Sequence, residues 1–139
     1  MLKALSIFIL LFFYIPMATA NPQLTTESQT AKITAIYSAD HFSAYLPEQK
    51  ESTQIRLNGV YTPSLDGQCA KETELALKAK AFVTEYIKNA KKILLTEQTH
   101  DENKILWATM YVDGNNLSYV LINKNLGRKW PAPKESWCH

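Results

Sequence analysis

The stretch RLNGVYTPSLDGQC, from Arg56 to Cys69, has the makings of a reactive turn. Arg56 projects from a short strand, Thr62-Pro63 bends the chain, and Cys69 stands where a helix begins. Phosphate or metal chemistry at such a turn needs hard oxygen ligands, a carboxylate beside the attacking water, and cationic forks on the phosphate. The cation is present, but acid is scarce. Asp66 is the one carboxylate in the stretch, and Asp40 follows a separate turn at Ser38-Ala39. His41, His100 and His139 show no metal-ligand spacing with the cysteines and read as surface residues.

The elements that must position these residues follow from periodicity. A first strand alternates Ile33, Ala35 and Tyr37 against Lys32, Thr34 and Ile36. A second carries Phe42, Ala44 and Leu46. After the PEQKES loop, Thr53 to Val60 points Ile55 and Leu57 inward, with Gln54 and Arg56 on the other face. The period then becomes helical: Leu75, Ala79, Phe82, Val83, Tyr86 and Ile87 share one side of a helix from Lys71 to Ala90. Residues 92–98 and 105–112 return to branched and aromatic strand composition. Asp113-Gly114 turns the chain, and Asn116 to Lys124 reads as a short helix. The tail GRKWPAPKESWCH is broken by proline. Three strands, a helix, two strands and a helix make a mainly β, α+β arrangement. The predicted architecture is an OB-fold, a five-stranded barrel with its helix between strands 3 and 4; an open α+β sheet is the alternative. The expected core is Ile33, Phe42, Ile55, Leu57, Leu95 and Met110, capped by Phe82 and Tyr86.

The chain has 139 residues, which predicts one domain. Its start, MLKALSIFILLFFYIPMATA, has one lysine, an apolar run from Ala4 to Ile15 and small residues Ala18 and Ala20. That is the pattern of a secretory signal over residues 1–20, too short an apolar run to span a bilayer as an anchor. Residues 21–30 read as a polar leader and 31–139 as the domain. The chain is therefore expected to be exported, to the periplasm or the medium, with no transmembrane helix after cleavage and as a monomer. There are 15 Lys+Arg against 13 Asp+Glu; without Lys3 the balance is 14 − 13 = +1. Near-neutral charge does not advertise a polyanion partner, so nucleic-acid binding would require a local basic patch. Lys88, Lys91, Lys92, Lys124, Arg128 and Lys129 could form one; ordinary solvated helix ends are the simpler reading. Cys69 and Cys138 make an even count, which in an exported chain suggests a disulfide, with buried free thiols as the alternative. Trp107 and Tyr111 read as core residues of a strand, and Trp130 as an exposed aromatic in the tail.

Four motifs in order resemble the staphylococcal nuclease-like (thermonuclease) family, over Ala31 to Leu126. SADHF is similar to the family's Asp-Gly-Asp-Thr-Val turn, and RLNGVYTP to Arg-Leu-x-Gly-Ile-Asp-Thr-Pro-Glu. AFVTEYIKNAKKILL resembles the helix-to-strand passage, and ATMYVDGNNLSYVLINKNL the Ala-x-Val-Tyr-x-Asp-Gly segment with its helix. The two-cysteine form looks like exported bacterial members. The resemblance implies calcium-dependent hydrolysis of DNA and RNA phosphodiesters. It assigns Asp40 and the carbonyl of Thr62 to the metal, and Arg56 to a phosphate.

The departures are chemical. Tyr61 stands where the resemblance puts a second metal-binding Asp, and Ser64 where it puts the water-positioning Glu. DENKILWA aligns with Asp-x-Tyr-Gly-Arg-x-Leu-Ala, which puts Ile105 at the second Arg. Losing a general base costs roughly 10²- to 10⁴-fold, and losing a transition-state Arg about 10³- to 10⁵-fold, without the two multiplying. A calcium site with one carboxylate and one carbonyl is weak. Asp66, Glu72 and Lys104 are the neighbours that could substitute, although a lysine offers a point charge in place of a fork. The expected function is thus a nuclease-like binding module with impaired catalysis, its ligand single-stranded nucleic acid or a protein. A calcium-dependent nuclease with a rearranged site and a structural envelope-associated domain are the alternatives; calcium is implied as a cofactor only if the protein is active.

Overall fold

The computed structural model describes residues 27–139. The signal segment over Met1–Ala20, and the leader as far as residue 26, lie outside the described residues. The elements in chain order are β1 (Gln29–Thr30), β2 (Lys32–Ser38), β3 (His41–Tyr45), β4 (Thr53–Leu57), β5 (Val60–Tyr61), α1 (Ala70–Lys88), β6 (Ile93–His100), β7 (Leu106–Val112), β8 (Asn115–Asn116), α2 (Leu117–Asn123) and β9 (Arg128–Lys129).

Strands β2, β3 and β4 form the antiparallel meander that their alternation predicts. The next step is set by tertiary structure: β4 lies parallel to β7, with Ile55, Arg56 and Leu57 beside Leu106, Trp107 and Ala108. β7 pairs antiparallel with β6, and β1 adds to the far edge of β6 through Gln29 and Thr30. The result is a mixed, half-barrel sheet with two helices, an α+β fold. The leader expected to stay loose through Thr30 joins the sheet at its last two residues, because Gln29 and Thr30 find backbone partners in Leu95 and Leu94. A separate two-stranded sheet joins β5 to β9.

Phe42, Ile55, Leu57, Leu95 and Met110 are at most 1% exposed, as their inward positions require. Burying each such side chain contributes about 1.5–3 kcal/mol. Ile33 is half-buried and packs on the edge of this cluster. Phe82 and Tyr86 stack on each other with ring centroids 5.5 Å apart and are also half-buried. The fully buried seam of α1 is made of smaller residues, Ala76, Ala79 and Val83, which let the helix approach closely.

Cys69 is the N-cap of α1 in extended conformation, but its side chain makes no capping hydrogen bond, its sulfur being in a disulfide. Glu72, in the first turn, instead ties down the loop ahead of the helix: its carboxylate accepts from the amides of Gln68 (2.9 Å) and Ser64 (3.1 Å). A β-carbon on Gly67 would lie 2.7 Å from Cγ of Glu72, so that close approach requires glycine. α2 is capped by Asn116, whose side chain accepts from the amides of Ser118 and Tyr119. Ser118 Oγ donates to the Asn58 carbonyl at 2.7 Å, tying α2 to the turn after β4.

Candidate functional site

Three cross-strand neighbours set the site. His41 of β3 lies opposite Arg56 of β4, which lies beside Trp107 of β7. Partners in register share one sheet face, and here it is the face away from Phe42, Ile55 and Leu106. Trp107 is therefore 37% exposed, which corrects the expectation that it belongs to the core. Alternation from the core residue Met110 puts Leu106 inward and Trp107 outward, and the pairing with Arg56 sets Trp107 beside the charged residue. The indole nitrogen of Trp107 donates to Asp101 at 3.2 Å. His41 is held by Gln54 at 3.0 Å and packs against Tyr37 with the two rings tilted at 48°.

Arg56 Nη1 donates to Asp40 Oδ2 at 3.3 Å, and Ser38 donates to Asp40 Oδ1 at 2.7 Å. Both carboxylate oxygens of Asp40 are thus engaged. Two hollows of about 290 Å³ each flank this pair, and Asp40, Arg56 and Thr62 line both. The first is a slot that also receives Tyr61, Trp107, Trp130 and Lys134. The second receives His41, Ser64 and Asp66.

The fold therefore brings Asp40, Arg56, Thr62, Tyr61, Ser64 and Asp66 into one neighbourhood. Ser64 accepts the amide of Asp66 through its hydroxyl, a turn contact that leaves the Asp66 carboxylate exposed. Lys104 and Ile105 line neither hollow. They sit in the turn between β6 and β7, where Lys104 has φ 62° and Asp101 accepts the Ile105 amide at 2.9 Å. Glu72 is 8% exposed, with its oxygens committed to the 64–68 loop. The amides of Gln68 and Ser64 hold its carboxyl below the ordinary value, against the opposing effect of burial and with help from Lys134. Asp101 is also lowered: burial pushes it up, and the Ile105 amide, the Trp107 indole and the Asn103 amide outweigh that.

Lys134 and Trp130 reach the slot through the C-terminal tail. Cys69 and Cys138 are bonded, as the even cysteine count suggested. Arg128 stacks 3.8 Å over Trp137 and donates to the carbonyls of Glu135 and Ser136. Trp137 is 7% exposed, Lys71 donates to the His139 carbonyl, and the Trp130 amide donates to Gly59. Lys134 was missed from sequence; a lysine in a proline-broken segment carries no local signal of this contact. Among the described residues no group of three His, Cys, Asp or Glu is arranged to hold a metal ion, and no helix is long and apolar enough to cross a membrane. No protein-family model matches the chain, and a search of curated proteins returns no relative.

Proposed function

We propose that this chain is an exported staphylococcal nuclease-like module with an OB-fold barrel, whose hydrolytic site is impaired and which binds single-stranded nucleic acid. The observation that carries the reading is the Arg56–Asp40 pair beside the Trp107–Trp130 slot. The two charged residues among the retained family positions neutralise each other, while aromatic and cationic groups remain to take a base and its phosphate. Aromatic stacking with a tracking cation is how single strands are held without sequence preference. Export rests on the sequence of residues 1–20, and the domain is taken as 31–139.

Two features support the family and barrel. The continuous segment 29–38 pairs with β6 through its first residues and with β3 through the rest, as a strand shared by both edges of a five-stranded barrel would. The glycines of Arg-Leu-x-Gly and Asp-x-Tyr-Gly-Arg fall on Gly59 and Lys104, with φ 79° and 62°. That left-handed region is where glycine is favoured.

The residues do not fit the calcium ion that the resemblance implies. Asp40 is occupied by Arg56 and Ser38, Tyr61 offers no carboxylate, and Ser64 is part of a turn. No step is routed through such an ion. A second reading, a nuclease with a rearranged site, draws on Asp66, which shares the second hollow with Asp40 and Arg56.

The deciding experiment combines a cleavage assay on DNA and RNA, with calcium or chelator, and fluorescence anisotropy with labelled single-stranded oligonucleotides. The expected result is binding without appreciable cleavage. Cleavage that is lost in chelator and in Asp66→Asn would replace this reading with the second.

A further inference from the structure

A groove of about 310 Å³ lies between the start of β2 and the end of α1, and it shares no residue with the slot. Its rim carries four exposed lysines, Lys32, Lys88, Lys91 and Lys92. Its floor is aliphatic, with Ile33, Ile87 and Ile93 half-buried, and neither an arginine nor an aromatic residue lines it. Lys91 and Lys92 are held in place through their backbone, since their amides donate to the Asp113 carboxylate at 3.0 and 2.8 Å. The nearby opposing charges are Glu85, 3.9 Å from Lys88 in a mostly solvated pair, and the Asp113 carboxylate, which is taken up by the backbone amides of Lys91 and Lys92. Lys124, Arg128 and Lys129, grouped with Lys88, Lys91 and Lys92 in the sequence, do not line the groove.

We infer that this groove docks the protein on an anionic membrane surface. Lysine heads over an aliphatic floor match a lipid interface, where ammonium groups meet phosphate and aliphatic side chains meet the acyl boundary. A nucleic-acid cleft would instead offer aromatic faces for bases or arginine forks for phosphates.

The test is co-sedimentation of the chain, as recovered from the cells that make it, with phosphatidylcholine vesicles containing or lacking phosphatidylglycerol. The difference between the two vesicle types is the readout, so a retained apolar N-terminus adds equally to both. Each lysine at an anionic surface is worth roughly fivefold in partitioning. The triple variant Lys88→Gln, Lys91→Gln, Lys92→Gln should therefore lose on the order of 100-fold in binding to the anionic vesicles. Lys32→Gln alone should lose about fivefold, Lys124→Gln with Lys129→Gln should lose nothing, and added salt should weaken the wild type. Unchanged thermal unfolding of the triple variant excludes misfolding. Equal binding to both vesicle types, or anionic binding that survives the triple change, overturns the inference. So does a triple variant that keeps vesicle binding and loses oligonucleotide binding, which would assign the groove to nucleic acid.

Discussion

Arg56 and Asp40 are each other's ligand: the guanidinium donates to the carboxylate at 3.3 Å, from side chains 35% and 20% exposed. The contact joins the end of the β2–β3 turn to the middle of β4 and keeps a negative charge beside the slot. An anion entering the slot must either displace Asp40 or share Arg56 with it.

Asp40→Asn should therefore strengthen binding of a single-stranded oligonucleotide. A partly exposed ion pair of this kind is worth about 0.5–1 kcal/mol, which corresponds to a two- to fivefold gain in affinity. Anisotropy titration at fixed salt measures it. An affinity that falls in Asp40→Asn would mean that Asp40 helps to hold the ligand.

Trp107 and Trp130 line the slot from opposite ends of the sequence, at 37% and 49% exposure. Each base stacked on an aromatic ring contributes roughly 1–3 kcal/mol. Trp107→Ala and Trp130→Ala should each weaken oligonucleotide binding by about that amount, with indole fluorescence quenched in the wild type on titration. Trp107 also donates to Asp101, so Trp107→Phe, which keeps the ring and loses that bond, should retain most of the affinity.

Acid should destabilise the fold through Glu72. Its carboxyl is held below the ordinary 4.5 by the Gln68 and Ser64 amides, so the ionised form is favoured when the loop is folded. A depressed folded value means that this contribution is complete above about pH 4.5 and is lost as pH falls through the lower folded value. Asp101 adds in the same direction at the other turn. Urea unfolding followed from neutral to acidic pH should show stability falling with acid. Glu72→Gln should be less stable at neutral pH and should show a shallower acid slope. An unchanged slope would mean that the carboxylate contributes nothing through its charge.

The Cys69–Cys138 bond spans a sequence separation of 69 residues and fastens the tail that supplies Trp130 and Lys134. Removing such a cross-link costs about 2–4 kcal/mol, chiefly by freeing the unfolded chain. In a domain of this size that lowers Tm by roughly 10–20 °C. The double variant Cys69→Ala, Cys138→Ala, compared with the oxidised protein by thermal unfolding, should show that drop. It should also bind oligonucleotide more weakly, because the slot loses a fixed wall. Intact mass before and after reduction gives the redox state directly.

Strand and helix order was legible in the sequence because period is local: Phe42 and Ala44, Ile55 and Leu57, and Ala79 and Val83 take the buried positions that their spacing assigns. The motif positions also needed no structure. Asp40, Arg56, Thr62 and Ser64 could be named from short segments, and they do share one neighbourhood. Most of the contacts that decide what the neighbourhood can do are long-range. Alternation sets Trp107 on the face opposite Met110, but only the parallel pairing of β7 with β4 brings it beside Arg56. No local rule joins Lys134 to the slot, since its position depends on the disulfide, on Trp137 under Arg128, and on β9 beside β5. Ile105 fails to reach the site because Asp101 holds its backbone in a turn. Sequence by itself determined the main strands and helices and most of the buried positions. Tertiary structure decided which charges meet, because that depends on strands brought side by side from distant parts of the chain.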